Sequence, residues 1–427
     1  MSGLDEKEII YLFWFVYRNL NDMCVLSFLT SLIPTKVINF NLKSSVTYIM
    51  NERQDNKLFF LPDNLSATLD NYADYMTIKM LYYVDSKHPI ISSLHMNCYD
   101  DLEDFTFGAA GVVNGRRNAN FSYSRYWHGN LAILRILFVF FDIQGIQIVF
   151  SLLLGILLVL LLTILLKKRC YLLSGLILFS FFATYSFVVP FCFEFYWMYF
   201  IGFLFAIFSA LSYKKASSFI YGIFVVMGVV VNFFDFLTTE MLVPLFSLLL
   251  IIYLKRRDED EMCLKDLIFF VSISLMLFVL FYSLTWFVKW SISNALFGLN
   301  IFELLSSQGW KWTGGLGSLK YVDYPVLSTL IYNISKLFPF KYILNDIGIV
   351  VYLLIIVLII VFKIIRKEFS KYSFIYLLLF FVPYIRYIVL LGHSYLHSFF
   401  TYRSQFTSII FLFLILFEKK DKTIRSK

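Results

Sequence analysis

Long apolar runs separated by short polar punctuation dominate this chain, and each run is long enough to cross a bilayer core of about 30 Å. They fall over residues 146–166, 171–190, 195–212, 218–233, 240–254, 266–288, 345–362, 372–391 and 404–417, and they predict membrane helices. A tenth stretch, residues 9–33, is interrupted by Arg18, Asn19, Asn21 and Asp22. It reads as a span, an interfacial helix or a signal anchor; no small-residue cleavage site follows it, so it is expected to be retained. Two long segments carry no such run, residues 34–145 and 289–344. Within the first, "DNLSATLDNYADYMTIKMLYYV" spaces Leu65, Leu69, Tyr72, Met76, Met80 and Tyr83 as one helical face, with Ser66 placed to cap the start. That pattern predicts an amphipathic helix resting on a membrane surface.

The expected fold is therefore an all-α polytopic membrane protein of about ten transmembrane helices, with a partly helical first extracytoplasmic loop. Its predicted parts are an N-terminal helix (1–33), that loop (34–145), six spans (146–288), a second loop (289–344), three spans (345–417) and a basic tail (418–427). Composition agrees: 59% of the 427 residues are hydrophobic, only 15% are charged, and the mean hydropathy is +0.74.

Charge then sets an orientation. Lys167, Lys168, Arg169, Lys214, Lys215, Lys255, Arg256, Arg257, Lys363, Arg366, Lys367, Lys371 and the tail "EKKDKTIRSK" fall in alternate loops, while the intervening short loops hold only Arg403. Short cytoplasmic loops collect basic residues, so the first set and the C-terminus are expected in the cytoplasm, with the long loops outside. The net charge of +8 follows from this anchoring and calls for no nucleic acid partner. Cys24, Cys98, Cys170, Cys192 and Cys263 are scattered and imply no disulfide framework.

On that topology all five histidines, His88, His95, His128, His393 and His397, share the outer side. Asp70 and Asp74, four apart, suit either a solvated face or a catalytic pair, and "YDDLEDF" from Tyr99 has the same two readings. "YSRYWHG" places Arg125, Tyr126, Trp127 and His128 at a membrane boundary, where aromatics anchor helices but where a guanidinium can also grip phosphate and an indole can cover a sugar ring. "FFDFLTTE" brings Asp235 and Glu240, as a helix cap or as part of an outer site. "GHSYLHSFFTYRSQ" carries His393, His397, Tyr402 and Arg403 just after Arg386, an arginine inside an apolar run and so one expected to have a partner or a task. Two histidines four apart can hold zinc, but no Glu adjoins the first and no third ligand is evident, so no metal or other cofactor is indicated. The glycines of "GWKWTGGLGSLKYVDYP" lack phosphate-loop spacing.

With "YSRYWHG", "FFDFLTTE" and "HSYLHSFFTYR" the chain resembles the GT-C class of membrane glycosyltransferases, and within it a group of little-characterised bacterial polytopic proteins. The resemblance implies a GT-C-like fold and a polyprenyl-phosphate-linked sugar donor used on the outer face of the cell membrane. It also implies a glycan, lipid or wall-polymer acceptor, and a carboxylate of the first outer loop as general base. In that class the acids stand soon after the first span, whereas here "PTKVINFNLKSSVTYIMNE" offers none before Glu52; Asp70 and Asp74 are the preferred candidates. Arg125, Arg386 and Arg403 would steady the departing phosphate, and His128, His393 and His397 would orient groups or move protons. Tyr126, Trp127, Asp235 and Tyr402 would complete the substrate site. A transporter or flippase, or a polymerase or ligase of lipid-linked polysaccharide, is the alternative; no inverted repeat supports a carrier.

Overall fold

The computed structural model describes residues 21–53, 56–58, 66–101, 105–258, 262–298, 300, 303, 306, 325–338 and 343–418. Helix α1 (Asn21–Ser31) meets α2 (Thr35–Glu52) at 87°. Pro34 makes the corner: it has no N–H to continue a helix and stands in extended geometry at φ −66°. Between α2 and the first long apolar helix lies a small subdomain built from α3 (Asn71–Tyr83), α4 (Pro89–His95), a short ladder of β1 (Asn97–Cys98) with β2 (Phe121–Ser122), α5 (Phe105–Val113) and α6 (Gly129–Phe140).

The bundle follows with α7 (Ile143–Lys167), α8 (Tyr171–Ala183), a 3₁₀ turn (Ser186–Phe191), α9 (Phe193–Ser212), α10 (Ser217–Phe234), α11 (Leu242–Arg257) and α12 (Leu264–Phe297). The last part comprises α13 (Val326–Ser335), α14 (Ile343–Ile365), α15 (Lys371–Val389), the short α16 (Leu391–Leu396) and α17 (Ser398–Thr401), a 3₁₀ turn (Tyr402–Ser404) and α18 (Gln405–Phe417). Seven helices among the described residues are long and apolar enough to cross a membrane: α7, α9, α10, α12, α14, α15 and the run Ser398–Phe417. The bent α1–α2 pair makes an eighth if it is one span. The chain is a multi-pass membrane protein. Helices α8 and α11, with 13 and 16 residues, stop short of that length, and residues 9–20 of the predicted first span lie outside the described residues.

Burial divides the bundle into layers. Residues Leu242–Ile252 of α11 are all buried, and α9 and Ser398–Phe417 are 72% and 83% buried over their apolar windows, whereas α7 and α14 are 22% buried. A helix apolar all round and enclosed by protein is a core helix; those apolar and bare face lipid. Helix α10 lies against α12 so closely that a side chain at Gly228 would sit 2.5 Å from the Phe278 carbonyl oxygen.

The α3 region departs from its predicted form. The helix begins at Asn71, capped by Asp70 and not by Ser66, whose hydroxyl instead reaches the Lys336 carbonyl. Asp74 through Leu81 are all buried, so α3 is the core of the subdomain and not a surface-lying amphipathic helix. Packing by α2, α5 and α9 encloses the flank that the apolar spacing assigned to water.

Candidate functional site

One end of the bundle collects nearly every residue singled out in the sequence. Its centre is the meeting of α3 with the start of α9. Asp70 accepts the Ala73 backbone N–H at 2.9 Å, the usual duty of a cap. Asp74, fully buried, takes the Arg53 guanidinium at 2.7 Å and the Phe193 backbone N–H at 2.9 Å. The two carboxylates therefore do not share a solvated face. Asp70 stands outside the first turn while Asp74 points inward to tie α2 and α3 to α9. Burial pushes the Asp74 carboxyl up, against the pull of Arg53. Asp70 is pushed up to about 6, by burial first and then, against its Ala73 hydrogen bond, by the charge of Asp74.

Glu194, the second residue of α9, lies where it feels the charges of Asp70, Asp74 and Asp235. Among the described residues it makes no hydrogen bond and no ion pair. Asp235 closes the turn after α10: it accepts from Thr238 N–H at 3.0 Å and from the Tyr282 hydroxyl at 2.8 Å. Burial, then the nearby Glu240, raises it to about 6.

The "YSRYWHG" segment lines the neighbouring wall. Arg125 lies over the rings of Tyr123 and Tyr126, 4.5 and 5.3 Å to their centroids, and donates to the Tyr123 hydroxyl. Tyr126 feels both Asp235 and Glu194, which places this segment beside the carboxylates. Trp127 is turned away, its indole N–H donating to the Thr285 carbonyl at 3.0 Å. His128 occupies the left-handed region at φ 56°, with Nε2 2.8 Å from the Tyr123 carbonyl oxygen. Burial drops its pKa to about 3, so its imidazole is neutral.

The last loop completes the ring. Arg386 is held by Glu240 at 2.7 Å, the Leu237 carbonyl at 2.5 Å and the Ser394 hydroxyl at 3.0 Å. Its charge is already balanced, so its place is as a clamp between the 235–240 turn and α16. Arg403 stacks on Phe195 and Tyr402, 4.9 Å to each ring, and reaches the Ser66 carbonyl at 3.2 Å. Tyr402 donates to the same carbonyl at 2.7 Å, so this loop packs four residues from Asp70. The rings of His393 and His397 are 4.7 Å apart, and His397 stacks on Phe400, which itself meets Phe195. Among the described residues no group of three His, Cys, Asp or Glu side chains is placed to hold a metal ion.

Charge at this end is mismatched. Asp70, Glu194 and Asp235 are carboxylates without a cation partner among the described residues, and Arg125 and Arg403 are cations without a carboxylate. Removing such groups from water without pairing them is costly, and ligand sites are where that cost recurs. Glu194 and Arg53 escaped the sequence reading. The lone acid in the apolar string "FCFEFYW" was the signal for Glu194; nothing local marks Arg53, whose partner lies 21 residues away. Trp310 and Trp312, Glu103 and Asp104 lie outside the described residues. Comparison with protein-family models, with curated proteins and with solved structures gave no match.

Proposed function

We propose that the chain is a membrane glycosyltransferase of GT-C-like layout, moving a sugar from a polyprenyl-phosphate-linked donor to a surface glycan, lipid or wall-polymer acceptor. The site end faces the extracytoplasmic side and the C-terminus the cytoplasm. Ten spans are reached by counting α8, α11 and the α1–α2 pair with the seven longer helices. The observation that carries the reading is the convergence of unpaired carboxylates, Asp70, Glu194 and Asp235, with the unpaired guanidinium groups of Arg125 and Arg403.

Asp70 takes the proton of the acceptor hydroxyl as the acceptor oxygen bonds to the anomeric carbon. The bond from that carbon to the phosphate oxygen breaks, its electron pair leaves on the lipid phosphate, and Arg125 and Arg403 steady the added charge. Glu194 is close enough to Asp70 for their charges to interact, and it offers an acceptor for a sugar hydroxyl. Asp74 and Arg386, already paired, hold the frame. His128, neutral, positions the Tyr123–Tyr126 segment, and His393 and His397 pack beside Arg403.

The test is glycan profiling of a deletion strain complemented with variants. Asp70→Asn and Glu194→Gln are expected to lower modification by about 10²-fold or more, as loss of a general base or an oriented acceptor does, at unchanged protein level. Wild-type modification in both variants rejects the assignment. Accumulation of unmodified lipid-linked donor on the inner leaflet would instead favour a flippase, and shortened polymer chains a polymerase or ligase.

A further inference from the structure

Beside the site, α1, α4 and the end of α12 enclose a cleft of about 280 Å³, lined by Cys24, Val25 and Phe28, by Ile90 and Leu94, and by Trp127. Its rim is bare and apolar, with Val25 44% and Ile90 58% exposed. Ser27 and Ser93 at its inner end also line a second space that reaches His128 and Arg135. That neck is closed to about 10 Å³, so the cleft ends at a polar mouth. There the Ser27 hydroxyl and His128 Nδ1 are buried without a hydrogen-bond partner among the described residues.

Two buried cations flank the mouth. Lys289, with no exposed surface, donates to the Leu94 carbonyl at 2.7 Å and lies 5.4 Å from the Trp127 ring centroid. Arg135 spends its donors on the Ile33 and Leu81 carbonyls and the Thr35 hydroxyl. Neither has a carboxylate partner among the described residues. Lys289 stands about 38 Å along α12 from Leu264, more than the about 30 Å of a hydrocarbon core, so a helix that enters the core at Leu264 brings Lys289 to phosphate depth on the far side.

An apolar groove open to lipid, ending in uncompensated positive charge and partnerless polar atoms, is complementary to an amphiphile with one chain and an anionic head. We propose that this cleft is the port of the lipid-linked donor: it takes the first prenyl units, and Lys289 and the Ser27–Ser93 mouth receive the phosphate on its way to Arg125. Because Trp127 and His128 adjoin Arg125 in the chain, one segment forms both the wall of the port and the wall of the site. This inference rests on the transferase reading above for the identity of the lipid.

Cys24 makes the port testable, since it lines the cleft while Cys98, Cys170 and Cys192 are buried and only Cys263 needs replacing by Ser. In phosphatidylcholine nanodiscs, polyprenyl phosphate is expected to slow alkylation of Cys24 by N-ethylmaleimide. Lys289→Gln should weaken that protection roughly ten-fold, and Lys289→Arg, which keeps the charge, should retain it. Equal protection in Lys289→Gln, or equal protection by phosphatidylglycerol or inorganic phosphate, overturns the port. Loss of glycan modification in Asp70→Asn without any protection of Cys24 refutes the port and leaves the catalytic reading standing.

Discussion

The two ends of the bundle handle charge in opposite ways. At the basic end, charges are partly exposed and paired with their neighbours: Lys214 and Arg257 share Asp258, and Arg256 meets Glu418 at 2.9 Å. At the other end, Asp235 and Arg403 are buried and Asp70, Glu194 and Arg125 half-buried, and none of the five has an ion-pair partner among the described residues. Paired charges in water cost a fold almost nothing to keep and contribute little to it. Unmatched charges away from water are retained against a penalty, and that contrast is what motivates the proposed site at this end.

The sharpest way to break the comparison is to attack the buried Asp74–Arg53 pair at the site end. Removing Asp74 with Ala leaves the Arg53 guanidinium buried and uncompensated and frees the Phe193 N–H, a loss of about 3–5 kcal/mol. Thermal unfolding in detergent should show a large drop, with Arg53→Met comparably damaging. The double variant should be less destabilised than the two single losses added together, because neither charge is then stranded. Additive losses would mean that Asp74 acts through Phe193 alone.

A milder probe is pH. The Asp70 carboxyl is held at about 6 by burial, and as the proposed base it must be ionised to accept a proton. Below that value its protonated fraction grows, so transfer rate is expected to fall about ten-fold per unit as pH drops well under 6 and to level off above it. Asp235 titrates in the same range, so the limb belongs to the set and not to one residue. Replacing Asp235 with Asn should reshape the limb without removing it, whereas a profile flat from pH 5 to 8 would exclude a carboxylate base.

Much of this was legible in the chain itself, for identifiable reasons. Apolar length marked α7, α10, α12, α14 and α15, because a bilayer imposes one requirement on every spanning segment. The polar motifs announced Arg125, Asp235, Arg386 and Arg403 because charged groups stand out in so apolar a chain. What stayed hidden was pairing. That Arg386 is neutralised by Glu240, 146 residues earlier, and Asp74 by Arg53, depends on tertiary contacts that no local pattern encodes. The α3 boundary failed for a related reason: Ser66 and Asp70 are both good caps, and the choice fell to the loop that carries Tyr402 and Arg403, whose side chains hold the Ser66 carbonyl.

The smallest expected effect completes the contrast. Lys214 lies 2.9 Å from Asp258 at the basic end, but its side chain is 71% exposed, and Arg257 and the Tyr213 hydroxyl bind the same carboxylate. These partners hold the Asp258 carboxyl well below the usual range, and they persist when Lys214 is replaced by Met. The variant should therefore unfold at the wild-type temperature and leave glycan modification unchanged. Its one visible consequence belongs to topology: with Lys215 also neutralised, the loop between α9 and α10 loses its basic residues, and reporter fusions there should show a minor inverted population. A large stability loss from Lys214→Met alone would mean that the basic end, too, depends on matched charge, and the distinction between anchor and site would have to be redrawn.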